Sequence, residues 1–410
     1  MIFSDRSISL VACSALLFGA GLAQAQDWPQ WRGPNRDGKV TGFSAPATWP
    51  QQFTQKWKVS IGSGVDSSPA LVGNRLYVFA RQGQEETTIC LDAATGKELW
   101  KDKYACPAVA GPSASIHPGP RSSPAVSNGK VVTLGVTGIV SCLDAATGKL
   151  LWRKDDFPGA YPQFYTGMSP LIVDGMAIAF VGGPNNGAIV AYDVNNGEPK
   201  WKWTGDGPAY GSPALMTVEG TRQIATLTDK MVVGIALADG KLLWQIPFAI
   251  TGRAYNAATP IIDGQTVILT GQGRGTRAVR IEKQGAAFAV KELWANADLA
   301  VQFNTPVLKD GFLYGLSDRG YYFCINAKTG ETAWTDTTRR GQFGAILDAG
   351  AVLMGLTQDG TLTVFQPGSQ AFTQIAAIKV ADTQTYAHPI VAGNRFFVRD
   401  QDSMILWLIQ

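Results

Sequence analysis

The chain has 410 residues, of which 45% are hydrophobic and 16% charged, and its formal net charge is +3. A charge this small, without any block of Lys or Arg, argues against a nucleic-acid partner. The 46 Gly and 12 Trp favour many short strands and tight turns over helices.

The first 25 residues have the organisation of a secretory signal peptide. A short segment with Arg6 precedes the apolar stretch Ile8–Leu22, and Ala23-Gln24-Ala25 is a small-residue cleavage site. Cleavage after Ala25 predicts a periplasmic or secreted protein whose mature chain has no transmembrane segment. Lipidation at Cys13 is the less favoured alternative, because it would leave a second apolar run behind the processing site.

Residues 26–52 form a Pro/Gly-rich segment that contains Trp28 and Trp31 but no helical or strand periodicity. We expect this segment to be an extended arm that packs over one face of the domain formed by residues 53–410.

A ten-residue cassette recurs along that domain. Leu91–Trp100 (LDAATGKELW) and Leu143–Trp152 (LDAATGKLLW) differ at one position, and weaker copies end at Trp201, Trp244 and Trp334. The Asp can accept backbone N–H bonds across a turn, while the Gly adopts the left-handed conformation that the turn requires. The Trp is expected to pack between neighbouring units as a large apolar plug.

A second recurring signal is a small residue and Pro, followed by apolar residues and a hairpin turn such as Asp-Gly. It occurs eight times, once without Pro, at Ser68-Pro69, Ser123-Pro124, Ser169-Pro170, Ser212-Pro213, Thr259-Pro260, Thr305-Pro306, Gly344-Ala345 and His388-Pro389.

Four strands per unit, repeated about every 40 to 50 residues, predict an all-β, eight-bladed β-propeller. The last unit, His388–Gln410, has room for only three strands, so Gln55–Ser60 is expected to provide the fourth and close the ring. Seven blades are the alternative if the degenerate region Gln342–Val380 does not form one.

Three cysteines, Cys90, Cys142 and Cys324, occupy the same cassette position and are expected to fill buried packing slots. Cys106 could form a disulfide with Cys90 or Cys142, and the sequence leaves this pairing open. No C-x-x-C motif supports a zinc site or haem attachment, and we predict no metal site.

The D-x-x-T-G-x-x-x-W cassette resembles the repeat of the pyrroloquinoline-quinone (PQQ) quinoprotein propellers. It also resembles the propeller subunit of the outer-membrane β-barrel assembly machinery, and Asp27–Pro34 is similar to the start of secreted PQQ-like repeat proteins. The resemblance implies the quinoprotein alcohol dehydrogenase-like fold. Enzymes of that family carry an adjacent Cys pair, a Glu/Asn/Asp calcium site and a catalytic Asp, which have no match here. We therefore assign no catalytic residue and predict no cofactor.

In a propeller, the loop that enters the innermost strand of each blade opens onto the central funnel. Aromatic and amide groups at this position could bind a flat or polar ligand or an extended peptide; alternatively, the aromatics only fill the funnel. The candidate ligand-binding residues are Asp66, Arg121, Tyr165, Tyr210, Tyr255, Asn256, Gln302, Phe303, Asn304, Phe343 and Tyr386.

Two further features concern the predicted funnel mouth. Asp66 and Arg121 are the one plausible charged pair there, and the long insertion Tyr104–Pro120 could cap it. The two histidines, His117 and His388, both near prolines, are interpreted as loop residues rather than metal ligands or catalytic bases.

The favoured hypothesis is a non-catalytic, extracytoplasmic binding or scaffold propeller, expected to be a monomer. Its partner would be an envelope protein or a small polar or aromatic ligand. The main alternative is a PQQ-dependent alcohol or sugar dehydrogenase that holds PQQ and Ca²⁺ in the funnel. A polysaccharide hydrolase or lyase has only the aromatic residues in its favour.

Overall fold

The computed structural model describes residues 27–62, 66–111, 116–250 and 255–410. The predicted signal peptide, its cleavage site after Ala25 and Cys13 lie outside these residues. Within them the chain forms only strands, turns and loops, and the strands build eight four-stranded antiparallel sheets. The eight-bladed propeller is therefore confirmed. No helix in the described part of the chain has the length and apolar character needed to cross a membrane.

The strands of the first four blades follow in chain order from the innermost to the outermost. They are β2 (Ala70–Val72), β3 (Arg75–Gln82), β4 (Glu85–Asp92) and β5 (Glu98–Ala105) in blade 1; β6 (Ala125–Ser127), β7 (Lys130–Leu134), β8 (Val140–Asp144) and β9 (Leu150–Lys154) in blade 2; β10 (Leu171–Val173), β11 (Met176–Val181), β12 (Ala188–Asp193) and β13 (Pro199–Trp203) in blade 3; β14 (Ala214–Val218), β15 (Thr221–Leu227), β16 (Met231–Ala236) and β17 (Leu242–Pro247) in blade 4.

Blades 5 to 8 repeat this order, except that the outermost strand of blade 8 comes from the start of the described chain. They contain β18 (Ile261–Asp263), β19 (Thr266–Gly271), β20 (Gly275–Gln284) and β21 (Ala287–Asn296) in blade 5; β22 (Val307–Lys309), β23 (Phe312–Leu316), β24 (Tyr322–Asn326) and β25 (Thr332–Thr335) in blade 6; β26 (Gly344–Asp348), β27 (Leu353–Thr357), β28 (Thr361–Phe365) and β29 (Gln374–Lys379) in blade 7; β30 (Ile390–Ala392), β31 (Arg395–Arg399), β32 (Ser403–Leu408) and β1 (Thr54–Ser60) in blade 8.

Two predictions about the ring can now be judged. Strand β1 pairs antiparallel with β32, from Thr54 opposite Leu408 to Ser60 opposite Ser403, so the predicted closing strand is confirmed. The degenerate region forms β26 to β29, and the seven-blade alternative is wrong.

The core lies between the blades rather than within one sheet. The middle strands β3 and β4 are buried along nearly their whole length, whereas residues of the outermost strand β5 are exposed or half-buried. Middle strands are covered on both faces by adjacent blades, which explains their near-continuous apolar sequences. The outermost strand keeps one face in solvent, so exposed and half-buried positions alternate along most of it.

The cassette joins neighbouring blades at five junctions of the described chain. Asp92 Oδ1 accepts hydrogen bonds from the backbone N–H groups of Ala94 and Thr95 at 3.1 and 2.9 Å, and Gly96 follows with φ +73°. A Cβ atom on Gly96 would lie 2.9 Å from the ring of Trp57 in the preceding blade. This Trp–Gly clasp recurs in the pairs Trp100–Gly148, Trp152–Gly197, Trp201–Gly240 and Trp294–Gly330.

The Trp side chain of each clasp also forms a hydrogen bond to the next blade. Trp152 Nε1 donates to the Val194 carbonyl at 3.0 Å, and Trp201 Nε1 donates to the Leu237 carbonyl at 2.9 Å. Trp244 differs, since its Nε1 donates to Gln223 within its own blade at 2.5 Å. Blade 5 has no cassette to receive it, because the long β20–β21 hairpin occupies that position.

All four described cysteines are buried free thiols. Burial raises the pKa of Cys106 to about 11 and that of Cys142 to about 12. It also raises the pKa of Cys324 to about 12. The sequence left open a disulfide between Cys106 and either Cys90 or Cys142. The structure has no disulfide among Cys90, Cys106, Cys142 and Cys324.

The hydroxyl groups of the Ser-Pro motifs link the innermost strands. Ser169 Oγ accepts the N–H of Ser123 at 2.9 Å, and Ser212 Oγ accepts the N–H of Ser169 at 2.9 Å. Ser68 Oγ accepts the N–H of His388 at 2.7 Å, which joins blade 8 to blade 1. We call these bonds, with the matching Thr259–Thr305 bond, the inner hydroxyl ring. They explain why a small hydroxyl residue precedes Pro.

Candidate functional site: the central cavity

The N-terminal arm crosses the centre of the ring. Trp28 exchanges two backbone hydrogen bonds with Leu71 in blade 1, and the Pro29 carbonyl accepts the N–H of Val126 in blade 2 at 2.8 Å. Farther along, the N–H of Val40 donates to the Asp348 carbonyl in blade 7 at 2.8 Å. The arm is thus bound by the ends of innermost strands rather than resting loosely on one face.

Two buried arginines of the arm hold further blades. Arg36 donates to the carbonyls of Ser169 and Pro170 in blade 3 at 3.0 and 2.8 Å, and to that of Pro213 in blade 4 at 2.8 Å. Arg32 donates to the Thr305 carbonyl of blade 6 at 2.6 Å. Burial lowers the pKa of Arg36 to about 9 and that of Arg32 to about 10. Charge-assisted bonds to carbonyls offset the cost of burying these guanidinium groups.

The arm also encloses His388. The imidazole is 6.0 Å from the Trp28 ring and 5.6 Å from the Trp31 ring, measured between centroids. Burial, reinforced by the positive charge of Arg32, lowers the pKa of His388 to about 3. This histidine is therefore neutral at physiological pH and packs as part of the core.

A cavity of about 440 Å³ lies on one side of the arm, where the residues that precede the Ser-Pro motifs converge. Trp31 belongs to its wall and donates from Nε1 to Thr259 Oγ1 at 3.0 Å. A second cavity, of about 90 Å³, lies between the arm and residues that follow the motifs, including Leu215 and Ile262. The arm thus separates the two cavities.

Aromatic side chains from blades 3 to 8 line a large part of the cavity, and each contacts the next. The successive ring-centroid distances are Tyr210–Tyr255 5.7 Å, Tyr255–Phe303 5.4 Å, Phe303–Phe343 4.3 Å and Phe343–Tyr386 5.0 Å. Phe164 joins them 4.7 Å from Tyr255. We call these six residues the aromatic arc.

Blades 1 and 2 place a charged corner next to the arc, formed by Asp66, His117 and Arg121. The His117 ring lies 4.7 Å from the Tyr386 ring and 6.2 Å from the Phe343 ring, measured between centroids. Asp66 Oδ2 lies 2.7 Å from His117 Nδ1, and Arg121 Nη2 donates to the His117 carbonyl at 2.9 Å. The predicted Asp66–Arg121 pair is wrong, because no salt bridge joins these two described residues and Asp66 contacts His117 instead. Among the described residues, Asp66 Oδ1 and Arg121 Nη1 are both buried without a hydrogen-bond partner.

The guanidinium group of Arg399 is a further cation close to Asp66. Arg399 is 1% exposed, and its Nη1 donates to the carbonyls of Ser67 and Phe79 at 2.7 and 2.9 Å. Burial lowers the pKa of Arg399 to about 9, and attraction to Asp66 opposes this shift.

The charges of the corner act on the tyrosines of the arc. Burial raises the pKa of Tyr210 and of Tyr255, and the positive charge of Arg121 opposes both shifts. Burial also raises the pKa of Tyr386, and the negative charge of Asp66 adds to it. The phenol groups therefore remain protonated at neutral pH and can donate or accept hydrogen bonds.

Seven of the predicted site residues line this cavity, and four do not. The seven are Asp66, Arg121, Tyr210, Tyr255, Phe303, Phe343 and Tyr386. Tyr165 instead stacks on Tyr161 at 4.8 Å, and its hydroxyl accepts the Ala110 N–H at 2.5 Å. It thereby anchors the insertion between blades 1 and 2.

Two of the three predicted amide residues have structural roles. Asn256 Nδ2 donates to the carbonyls of Thr228 and Phe248 at 2.8 and 3.2 Å. Asn304 exchanges hydrogen bonds with both backbone groups of Leu316. Gln302 is 7% exposed, lies outside the cavity wall, and its Oε1 is buried without a hydrogen-bond partner among the described residues. Asn256 and Asn304 therefore satisfy backbone groups close to the aromatic residues.

Nine lining residues lie outside the predicted set, among them Trp31, His117 and Phe164. Trp31 comes from the arm and His117 from the insertion, so both reach the cavity only through tertiary docking. The described parts of the insertion, residues 104–111 and 116–120, bring His117 to the cavity wall. Phe164 directly precedes Tyr165, which has a left-handed φ of +68°. This turn directs the neighbouring rings to different places, which the sequence pattern does not reveal.

The donor set does not match a calcium–PQQ site. No group of three or more His, Cys, Asp or Glu among the described residues could hold a metal ion. Asp66 is the single carboxylate among the described residues of the cavity wall, and it is paired with His117. The residues present therefore do not fit the cofactor arrangement that the resemblance to quinoproteins implies.

Eight four-stranded blades, clasps between the cassettes and a central cavity define a β-propeller with PQQ-like repeats. The family model described as "Outer membrane protein assembly factor BamB" matches residues 36–115 and 109–336, and the chain belongs to this family.

Individual relatives extend this comparison. The chain is 25% identical over 359 residues to outer membrane protein assembly factor BamB of Burkholderia pseudomallei, covering 76% of this chain and 88% of that one. It is 26% identical over 248 residues to tetrathionate hydrolase of Acidithiobacillus ferrooxidans, covering 57% of this chain and 46% of the relative. The chain thus spans less than half the length of that relative.

Among solved structures, the quinohemoprotein alcohol dehydrogenase of Comamonas testosteroni superposes with a TM-score of 0.67 and 15% identity. The match covers 93% of this chain and 80% of the other. At this level of identity, the likeness concerns the fold alone.

Proposed function

We propose that this protein is a non-catalytic, extracytoplasmic binding and scaffold propeller that takes part in the assembly of outer membrane proteins. The observation that carries the proposal is the similarity to the BamB of Burkholderia pseudomallei, which spans 88% of that relative. The predicted signal peptide supports a location outside the cytoplasm, where such a scaffold would act.

The geometry of the central cavity supports binding rather than catalysis. Its wall combines the aromatic arc with few polar groups, a composition typical of ligand sites. Ser169 and Ser212 in the wall accept backbone hydrogen bonds through Oγ, so their hydroxyls hold the ring together. The rigid arm behind the cavity, fixed by Arg32 and Arg36, would keep the binding groups in place.

The test is co-purification from the native envelope. The tagged mature chain is cross-linked in cells, purified under denaturing conditions, and its partners are quantified by mass spectrometry. We expect enrichment of outer-membrane assembly components over a tagged secreted protein of unrelated fold expressed at the same level. Equal recovery with both baits would contradict the proposal.

The second candidate, a PQQ-dependent alcohol or sugar dehydrogenase, is favoured by the structural likeness to a quinohemoprotein alcohol dehydrogenase over 93% of this chain. It requires cofactor ligands that the cavity wall does not provide. Purified protein incubated with PQQ, Ca²⁺, an artificial electron acceptor and a panel of alcohols and sugars tests it, with an authentic quinoprotein as positive control. Dye reduction that depends on added PQQ would establish this function and overturn the non-catalytic one.

A further inference from the structure

The central cavity has two chemically different sides. The aromatic arc presents rings that include Tyr255, Phe303 and Phe343, and the nearly parallel Phe303 and Phe343 rings are 4.3 Å apart with an angle of 5°. Next to the Tyr386 end of the arc, the cavity wall presents Asp66, His117 and Arg121. A ligand that fills this space must therefore carry an apolar, preferably flat, group at one end and a strongly polar group at the other.

The charged corner is incompletely paired. Among the described residues, Asp66 Oδ2 contacts His117, while Asp66 Oδ1 has no hydrogen-bond partner. Arg121 uses Nη2 for the His117 carbonyl, while its Nη1 has none. A charged group that is taken out of water without a partner is costly. The carboxylate and guanidinium belong to neighbouring blades and are nevertheless not joined in an ion pair, so each retains bonding capacity.

The unpaired atoms have opposite requirements. Asp66 can only accept a hydrogen bond when ionised, and Arg121 can only donate one. A simple anion would be repelled by Asp66. A simple cation would be repelled by Arg121 and by Arg399, which lies close to Asp66. A head group with a positive and a negative charge next to each other satisfies both groups at once.

Building on the proposed binding function, we propose that the cavity binds a small zwitterion with an aromatic ring, in the class of aromatic α-amino acids. The ring lies against the aromatic arc, the carboxylate faces Arg121 and the ammonium group faces Asp66. The cavity volume of about 440 Å³ is within the range of roughly 300 to 1,000 Å³ usual for small-molecule sites. Trp31 and the arm close its inner end, which excludes a through-going peptide.

The first test compares four probes with the purified mature protein by isothermal titration calorimetry. L-phenylalanine carries both charges, 3-phenylpropionate lacks the ammonium group, phenethylamine lacks the carboxylate, and N-acetylphenylalanine amide lacks both. We expect L-phenylalanine to bind at least about tenfold more tightly than each of the others, because each loses a charge-assisted hydrogen bond.

Two charge variants assign the head groups. Asp66→Asn should abolish the preference for L-phenylalanine over 3-phenylpropionate while leaving the preference over phenethylamine. Arg121→Gln should do the reverse. The exposed pair Asp174 and Arg222 gives matched controls, Asp174→Asn and Arg222→Gln, which should change no affinity. Because the probe series on the unmodified protein is decisive alone, a variant that fails to fold does not weaken the test.

The proposal is overturned if none of the four probes binds, or if 3-phenylpropionate or phenethylamine binds as tightly as L-phenylalanine. A failure here can be distinguished from failure of the scaffold function. The envelope partners recovered by cross-linking would remain if only the ligand assignment were wrong. Loss of those partners with intact probe binding would instead leave the cavity assignment standing and remove the assembly role.

Discussion

The outer part of the ring repeats one side-chain arrangement, whereas the side chains at its central mouth vary between blades. At the outer junctions the same Trp–Gly clasp recurs, for example between Trp100 and Gly148 and between Trp152 and Gly197. At the mouth the side chains differ between groups of blades: blades 1 and 2 contribute the charged Asp66 and Arg121, and blades 3 to 8 contribute Phe or Tyr. The repeated positions therefore specify the fold. The side chains that differ chemically between blades lie in the loops before the innermost strands.

The arm braces the centre of the ring and should make the largest contribution to stability of any single segment tested. Replacing Arg36 by Met leaves the carbonyls of Ser169, Pro170 and Pro213 without their shared donor. We expect a loss of about 4 kcal/mol in unfolding free energy, since three charge-assisted bonds disappear together. Chemical denaturation measures it.

The control for this variant is Arg222→Met, which removes an ion pair with Asp174 at half-exposed positions and should cost less than about 1 kcal/mol. Equal losses for the two variants would show that the arm does not brace the centre.

His388, which the arm encloses at the centre of the ring, should make the free energy of unfolding depend on pH. The pKa of His388 is about 3 in the folded protein against 6.5 ordinarily, so the unfolded chain binds a proton more readily. The stabilisation is complete above pH 6.5 and is lost as the pH falls from 6.5 toward 3. We expect His388 to account for about 3 kcal/mol of the loss between pH 7 and 4.

Unfolding free energies of His388→Gln, measured across the same pH range, should show a correspondingly shallower decline. A decline as steep as that of the unmodified protein would mean that the imidazole is not excluded from water.

The outer clasp can be tested with two glycines of similar backbone conformation. Gly148 and Gly129 have φ of +74° and +73°, but only at Gly148 would a Cβ atom meet a ring, 2.5 Å from Trp100. Gly148→Ala should therefore destabilise the protein by about 2 kcal/mol more than Gly129→Ala. If thermal and chemical denaturation gave the same loss of stability for both variants, turn geometry alone would explain why Gly recurs in the cassette.

The inner hydroxyl ring should give the smallest effect. Ser169→Ala removes the acceptor of the buried Ser123 N–H and should cost about 1 kcal/mol. Ser123→Ala is its counterpart, because Ser123 Oγ is buried without a partner and its removal should be close to neutral. A larger loss in Ser123→Ala than in Ser169→Ala, measured by urea titration, would contradict the assigned direction of the bonds.

The architecture could be predicted from sequence because the turn chemistry of the cassette and the Ser-Pro motif is local. Asp92, Gly96 and the hairpin turns fix strand boundaries, and the shortfall in the last unit pointed to Gln55–Ser60. The site was only partly predictable, since neighbouring residues such as Phe164 and Tyr165 face different surroundings. Contributions from the arm and the insertion depend on docking between residues far apart in sequence, which no local pattern encodes.

The pairing of β1 with β32 has a consequence for synthesis of the chain. Thr54 emerges from the ribosome long before its partner Leu408. The eighth blade, and with it the closed ring, can form only after β32 has been translated. Until then β1 has an open edge, and the ring is incomplete.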